Sequence, residues 1–376
     1  MTSLPDELRS LPPDLKARLA AHHFDGAQLE RFGSRLARGE SVDNHVKGKL
    51  APPERADVVD LPAPGSAEAE RLRKIGVESL SRGENALVVL AGGMATRMGG
   101  VVKALVEALP GRTFLDLRLA EQKALEKLAG RPVPLFLMTS AATDAALVKA
   151  LGARLDGENL ATFTQRLSLR LNADGTLFMD EHGHPSEYAP GHGDFVDAIA
   201  ESGLLRSFIE RGGKTLTVAN LDNLGATLDP VLIGLHLDQR RKVTCEIVDK
   251  LAADRGGIPC RVDDRVVVLE EFRIPSSFDP AQVRTFSTNT FHMDAPALST
   301  LKMEWTYFQV NKKVGGRPVI QYERLINELT SRFETTYVRV PREGAESRFL
   351  PVKDNEELAN RRHELELVAR ARGMLG

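Results

Sequence analysis

The sequence predicts an α/β protein built on a mixed, mostly parallel sheet with helices on both faces. Three observations predict it. From Asn85 onward, short apolar runs such as "ALVVLAG", "PVPLFLMTS" and "TLTVANLDN" alternate with longer segments of helical spacing. These runs are apolar at successive positions, as expected of strands covered on both sides. The first of them leads into "LAGGMATRMGGVVK", Leu90 to Lys103, at the place after a strand where open α/β sheets bind ligands.

The elements follow in order. Residues 1–80 read as a helical N-terminal region, with "DLKARLAAHH", "GAQLERFGSRLARG" and "AEAERLRKIGVESLSRG" at helical spacing and a proline-bearing linker, "APPERADVVDLPAPGS", before the last. Residues 81–345 form the main domain. Within it "TFLDLRLAEQKALEKLAG" and "TDAALVKALGARL" are helices and "ENLATFTQ" is a strand. "LSLRLNADGTLFM" is hairpin-like about Asp174-Gly175, and "DFVDAIAESGLLRSFIERGG" is a single helix. "KVTCEIVDK", "VVVLEEFRI" and "FSTNTFHMD" continue as strands, and residues 346–376 close with the helix "NEELANRRHELELVARARG".

Composition excludes several classes. With 50 Lys+Arg against 52 Asp+Glu, the formal charge of −2 gives no electrostatic case for nucleic acid or an anionic membrane. No run approaches the length of a spanning helix, and the N-terminus lacks a basic start before an apolar stretch. Two cysteines outside any metal-ligand spacing suit a reducing compartment, so the expectation is a cytoplasmic protein. His182 and His184, in "EHGHP", read as an exposed loop rather than a metal pair.

The glycine loop carries the chemistry. Gly92 and Gly93 let the backbone approach a ligand and present N–H groups to it, and Lys103 adds a mobile cation. Neither G-x-x-x-x-G-K-[ST] nor G-x-G-x-x-G fits the spacing. Close donors plus one lysine suit a nucleoside triphosphate.

The stretch "LAGGMATRMGGVVKALVEALPGRTFLDL" resembles the nucleotide-binding signature of the UTP–glucose-1-phosphate uridylyltransferase (UDP-glucose pyrophosphorylase) family. The blocks "PLFLMTS", "FTQ", "YAPGHGD", "VANLDNLGATLD", "KLAADRGG", "FSTNTF", "KMEW", "VIQYE" and "SRFLPVK" follow in the family's order, from Leu87 to Lys353, about seventy per cent of the chain. The resemblance implies a Rossmann-like core of the nucleotidyltransferase (GT-A-like) type, and a reaction of UTP with a hexose 1-phosphate, with Mg²⁺, to give UDP-glucose and pyrophosphate. It implies that Leu90, Ala91, Gly92 and Gly93, with Met138 and Asn220, line the nucleotide site. Lys103 matches the lysine on the triphosphate, Gln165 and Gly191 the uridine contacts, and His192 the histidine near the sugar phosphate. Asp222 matches the metal-binding aspartate and Lys353 a second phosphate lysine; Asn289 is placed to meet sugar hydroxyls. Each has a plainer reading: Asp222 as a turn cap, Lys353 as a solvated lysine, Gln165 and Asn289 as ordinary strand polars.

Several departures bear on the transfer. Ala95 stands where the family has a loop glycine, so a positive φ there would be strained. Val102 replaces the customary proline, and Ser287 and Thr290 stand where asparagines are usual. The eukaryotic relatives continue into a carboxyl-terminal β-helix for which "ELELVARARGMLG" leaves no room, so the expected assembly is a monomer or a different oligomer. The rival readings are N-acetylglucosamine or galactose as the sugar, and a sugar-nucleotide binder that has lost catalysis.

Overall fold

The computed structural model describes residues 3–95 and 98–375. Eight strands form the central sheet: β1 (Val58–Asp60), β2 (Asn85–Leu90), β3 (Leu135–Thr139), β4 (Leu160–Thr164), β5 (Thr215–Asn220), β6 (Val243–Asp249), β7 (Thr285–Asp294) and β8 (Thr335–Arg339). Their spatial order is β1-β8-β6-β7-β5-β2-β3-β4. Every neighbouring pair is parallel except the two made by β7. The mixed, mostly parallel sheet expected from the sequence is therefore present.

The continuous apolar runs exist because both faces are covered. On β2 and β3, Leu87, Val89, Leu135 and Leu137 enter one core with the helices Phe114–Ala129 and Asn355–Ala371. Their alternating neighbours Ala86, Val88, Phe136 and Met138 enter a second core, with Phe195 and Ile199 from the helix Phe195–Glu201 and Phe208 from the helix Leu204–Glu210. The helix behind β2 is fixed at its start by a capping box, Thr113 with Asp116, and stops at Gly130 in the left-handed conformation.

Topology decides where a ligand goes. From β2 the chain runs outward to β3 and β4, then returns to β5 on the opposite side of β2. The carboxyl ends of β2 and β5 thus flank the switch point, where crossover loops diverge and leave a crevice.

The N-terminal helices Leu4–Arg9, Pro13–Ala21 and Gly26–Ala37 form their own apolar cluster over Leu167–Leu177. They also rest on the hairpin Phe308–Val314 and Arg317–Glu323, where Phe32 stacks on Tyr322 with ring centroids 3.8 Å apart.

Two expectations change. The proline-bearing linker supplies β1, which pairs with β8 through Val59 opposite Val338. The segment after "GHGD" is two helices, because Gly203 at φ +80° turns the chain between Glu201 and Leu204. Among the described residues, no helix is long and apolar enough to cross a membrane.

Candidate active site

A cavity of about 290 Å³ opens beside the carboxyl end of β5 and the first half of β7, which runs antiparallel to it. His192, Asn220, Asp222, Asn289 and Lys353 all line it. Lys103 is not in its wall, but its ammonium donates to Asp222 Oδ2 at 2.5 Å, with about one sixth of each side chain exposed. Six residues separated by up to 250 positions of sequence are thus brought together.

Asp222 sits just past the end of β5, on a turn braced from beneath. Arg118, fully buried on the helix behind the sheet, donates to the carbonyls of Asn220, Asn223 and Ala226 and to Glu121. Asn223, next to Asp222, spans the gap to the C-terminal segment. Its amide donates to the Arg348 carbonyl at 3.0 Å and its oxygen accepts from Leu350 N–H at 2.8 Å. Arg348 is anchored in turn to Glu246 on β6, at 2.8 Å through Nε, and to Thr227. Burial alone would raise the Glu246 carboxyl, but Arg348 and His292 outweigh it and hold it at about 2. Lys353 follows this anchored stretch, and its N–H is capped by Glu357.

His192 has a defined hydrogen-bonding state. Its Nδ1 accepts from Ile326 N–H at 3.0 Å, and burial pushes the imidazole down to about 4. The neutral ring therefore carries its proton on Nε2, leaving one donor for a ligand. The loop is pressed against Arg324: a Cβ on Gly193 would lie 2.5 Å from Leu325 N, so only glycine fits. Gly191, at φ +94°, turns the chain into this contact.

Asn289 points into the cavity because β7 bulges. Against β6, the pairing jumps from Cys245–Phe291 to Ile247–Ser287, which leaves Thr288–Thr290 looped out. Asn289 takes φ +58°, a conformation asparagine tolerates better than most residues. Its amide donates to Asn220 Oδ1 at 3.0 Å.

The remaining expected residues gather at the glycine loop. Ala91 N–H donates to the Met138 carbonyl, and Gly92 O accepts from Ser140. Met138 contributes its carbonyl only, its side chain being 1% exposed in the core. Gln165 faces Gly92 so closely that a Cβ there would meet its Nε2 at 2.2 Å. The next residue, Arg166, gives its N–H to Asp194, and buried Arg324 salt-bridges Asp194. The Gln165 and His192 loops are thereby tied together. Leu90 ends β2, half-buried, and Gly93 is exposed.

Two of the departures carry no strain. Ala95 lies in a short strand opposite Val101 and has no positive φ, which falls on Gly99 and Gly100. Val102 has φ −64°, the value a proline would impose. Thr96 and Arg97, within the same loop, lie outside the described residues. His182 and His184 are exposed, as expected.

Sequence reading missed Arg118, Asn223, the Glu246–Arg348 pair, and two further cavity residues, Glu270 and Asn327. Glu270 is pushed up to about 7 by burial, against the 2.7 Å bond it receives from the Asn327 amide. The block "SRFLPVK" carries Arg348 five positions before Lys353, but nothing in that local pattern marks it as buried.

As to metal, among the described residues no three His, Cys, Asp or Glu side chains group to hold an ion. One carboxylate beside two lysines fits a magnesium ion carried mainly by a substrate's phosphates and water, with Asp222 as protein ligand.

Residues 30–371 match the UTP–glucose-1-phosphate uridylyltransferase family model. The chain belongs to that family. Enzymes of the same description from Musa acuminata and Saccharomyces cerevisiae are 30% and 32% identical, each over 73% of this chain. One from Encephalitozoon cuniculi is 31% identical over 80% of it. The chain spans only about 60% of the length of these relatives. Among solved structures, a UDP-glucose phosphorylase from Trypanosoma brucei superposes with TM-score 0.72 at 22% identity, covering 92% of this chain and 77% of that one. A UDP-N-acetylglucosamine pyrophosphorylase from the same organism gives 0.71 at 20%, covering 84% and 72%. Both share the fold of this uridylyltransferase family member.

Proposed function

We propose that the protein is a UTP-dependent sugar-1-phosphate uridylyltransferase that makes UDP-glucose and pyrophosphate from UTP and glucose 1-phosphate. The observation that carries this reading is that Asp222, Lys353 and neutral His192 line one cavity beside the carboxyl end of β5, with Lys103 bonded to Asp222.

The reaction brings two anions together. A phosphate oxygen of the sugar phosphate attacks the α-phosphorus of UTP, the bond to the β-bridging oxygen breaks, and pyrophosphate leaves. Such transfer depends on positioning and charge neutralisation rather than on a protein nucleophile. Lys103 and Lys353, on separate elements, offset the repulsion and the charge that grows on the leaving group. His192 donates through Nε2 to the sugar phosphate without adding a charge that titrates near neutrality. Gln165 and the amides after β2 orient the base. Asp222 would hold a magnesium ion, whose chemistry would be Lewis-acid neutralisation of phosphate charge.

Pyrophosphate release measured with UTP, ATP, GTP, CTP and dTTP against glucose, galactose and N-acetylglucosamine 1-phosphates tests the reading. Release with UTP and glucose 1-phosphate above all other pairs is expected. No release with any pair refutes it, and a preference for another sugar corrects the substrate.

A further inference from the structure

The C-terminal helix Asn355–Ala371 turns an apolar stripe inward, with Leu358, Leu365 and Val368 buried in the core it shares with β2 and β3. Arg361 stands three residues after Leu358 and four before Leu365, so it falls on that same stripe. It is half-buried there and lines the cavity together with Lys353. Among the described residues it makes one hydrogen bond, from Nη1 to the Pro351 carbonyl at 2.8 Å, and no ion pair. A single carbonyl needs one donor and no charge. Nε and Nη2 have no described partner, and neither is sealed from solvent. These two N–H groups form the side of a guanidinium that takes two oxygens at once, as Arg261 does with Asp57 in this protein.

The helix sets this fork close to Lys353. Glu357 stands one turn before Arg361, where an ion pair would be ordinary, yet its carboxylate takes the Lys353 N–H at 2.7 Å. Arg361 and Glu357 thus grip Pro351 and Lys353, residues two apart and separated by about 7 Å at most. The other cations near the wall are engaged. Arg342 pairs with Asp254 at 2.7 Å, Lys103 pairs with Asp222, and Arg255 gives Nη1 to carbonyls of its own exposed loop. Lys353 is exposed and, among the described residues, makes no ion pair. Lys353 and Arg361 therefore stand without a counter-charge at a cavity that His192 also lines.

We propose that Arg361 is a further substrate-binding residue, whose Nε and Nη2 take two oxygens of the hexose 1-phosphate's phosphate beside Lys353. This rests on the sugar-1-phosphate reading above. A phosphate monoester is close to a dianion at neutral pH, so a single lysine leaves part of its charge uncompensated. A lysine is also a point charge and leaves the phosphate free to rotate, whereas a two-pronged guanidinium fixes which oxygen is turned towards the α-phosphorus.

Pyrophosphate release in wild type, Arg361→Gln and Arg361→Lys, each substrate varied with the other saturating, tests the contact. In Arg361→Gln the KM for glucose 1-phosphate is expected to rise about tenfold, with the KM for UTP within about twofold and the melting temperature unchanged. Arg361→Lys keeps the charge but not the fork, and should fall between wild type and Arg361→Gln. An unaltered KM for glucose 1-phosphate, or equal rises for both substrates with a lowered melting temperature, overturns the assignment in favour of a bond that merely holds Pro351. Calorimetry with UMP and UDP-glucose needs no turnover and reads the same phosphate. UDP-glucose should bind Arg361→Gln about tenfold more weakly than wild type, and UMP within about twofold. Wild type that binds UDP-glucose but releases no pyrophosphate with any sugar 1-phosphate sinks the proposed activity and leaves the titrations to decide on Arg361. An active enzyme whose Arg361→Gln variant binds UDP-glucose normally sinks only the role of Arg361.

Discussion

Replacing Lys103 by alanine gives the sharpest test of the charge arrangement. At 2.5 Å from Asp222 Oδ2, the gross Coulomb attraction is about 2 kcal/mol in a water-like medium and about 7 kcal/mol at an effective dielectric of 20. Desolvation of two side chains that are 17% and 16% exposed offsets most of it. We therefore expect a loss of only about 1 kcal/mol in stability, a shift of a few degrees or less in melting temperature for a chain of this size. Turnover should respond far more. A donor aimed at charge developing in the transition state contributes roughly 10²–10³ in rate, and Lys103 reaches the same point as Asp222. Steady-state pyrophosphate release gives the rate, and a melt on the same sample gives the stability. On the proposal that the two residues act on one phosphate tail, Lys103→Ala with Asp222→Ala should be no worse than about tenfold below the poorer single variant. Turnover within threefold of wild type, or losses that multiply fully in the double variant, would refute the shared-site geometry.

Three further outcomes follow from the same coordinates. Arg348→Met leaves the Glu246 carboxylate buried and short of its main partner, and should cost about 3–5 kcal/mol in urea unfolding; a loss below 1 kcal/mol contradicts the bracing role. Gly92→Ala places a methyl 2.2 Å from Gln165 Nε2, and should weaken UTP binding at least tenfold with the melting temperature little changed; intact UTP affinity removes Gln165 from the base site. His192 has a folded pKa of about 4 against an ordinary 6.5, so between these values the unfolded chain takes up a proton that the folded chain does not. Its contribution is full above pH 6.5 and is lost as pH falls towards 4, by at most about 3 kcal/mol. His192→Gln should flatten that part of the stability profile, and an unchanged slope denies the burial of a neutral ring.

Much of the fold was legible because β2, β3 and β5 are buried on both faces, which forces apolar residues at successive positions. What stayed hidden had no such pattern. Val58–Asp60 is three half-buried residues beside prolines, and only β8 makes it a strand. The break after Glu201 depends on one glycine's backbone conformation, to which helical spacing is blind. The site divides in the same way. Lys103, His192 and Asp222 stand in short local motifs with glycine or turn residues around them, so type and context could be read together. Asn327 and Glu270 lie 57 positions apart, and their hydrogen bond arises only when the turn Ile326–Glu328 meets the strand ending at Glu270.

Arginines make up much of the framework around the site that the sequence pattern leaves hidden. A sequence pattern places arginine in solvent, yet Arg118, Arg324 and Arg348 are the three bulkiest side chains among those fully buried. Arg118 and Arg348 lie where chain segments turn sharply and carbonyls point inward, and Arg324 lies against the His192 loop facing two carboxylates. Apolar packing cannot satisfy such carbonyls, whereas a guanidinium offers five donors in one plane. Arg118 takes three carbonyls of the Asp222 turn, Arg348 takes Thr227 and Glu246, and Arg324 takes Asp194 and Asp197. Buried ion pairs of this kind are poor sources of net stability compared with well-packed apolar residues. Their effect here is geometric: they hold the loops of His192, Asp222 and Lys353 around one space, and the proposed neutralisation of two approaching phosphates would require that fixed spacing more than any one charge.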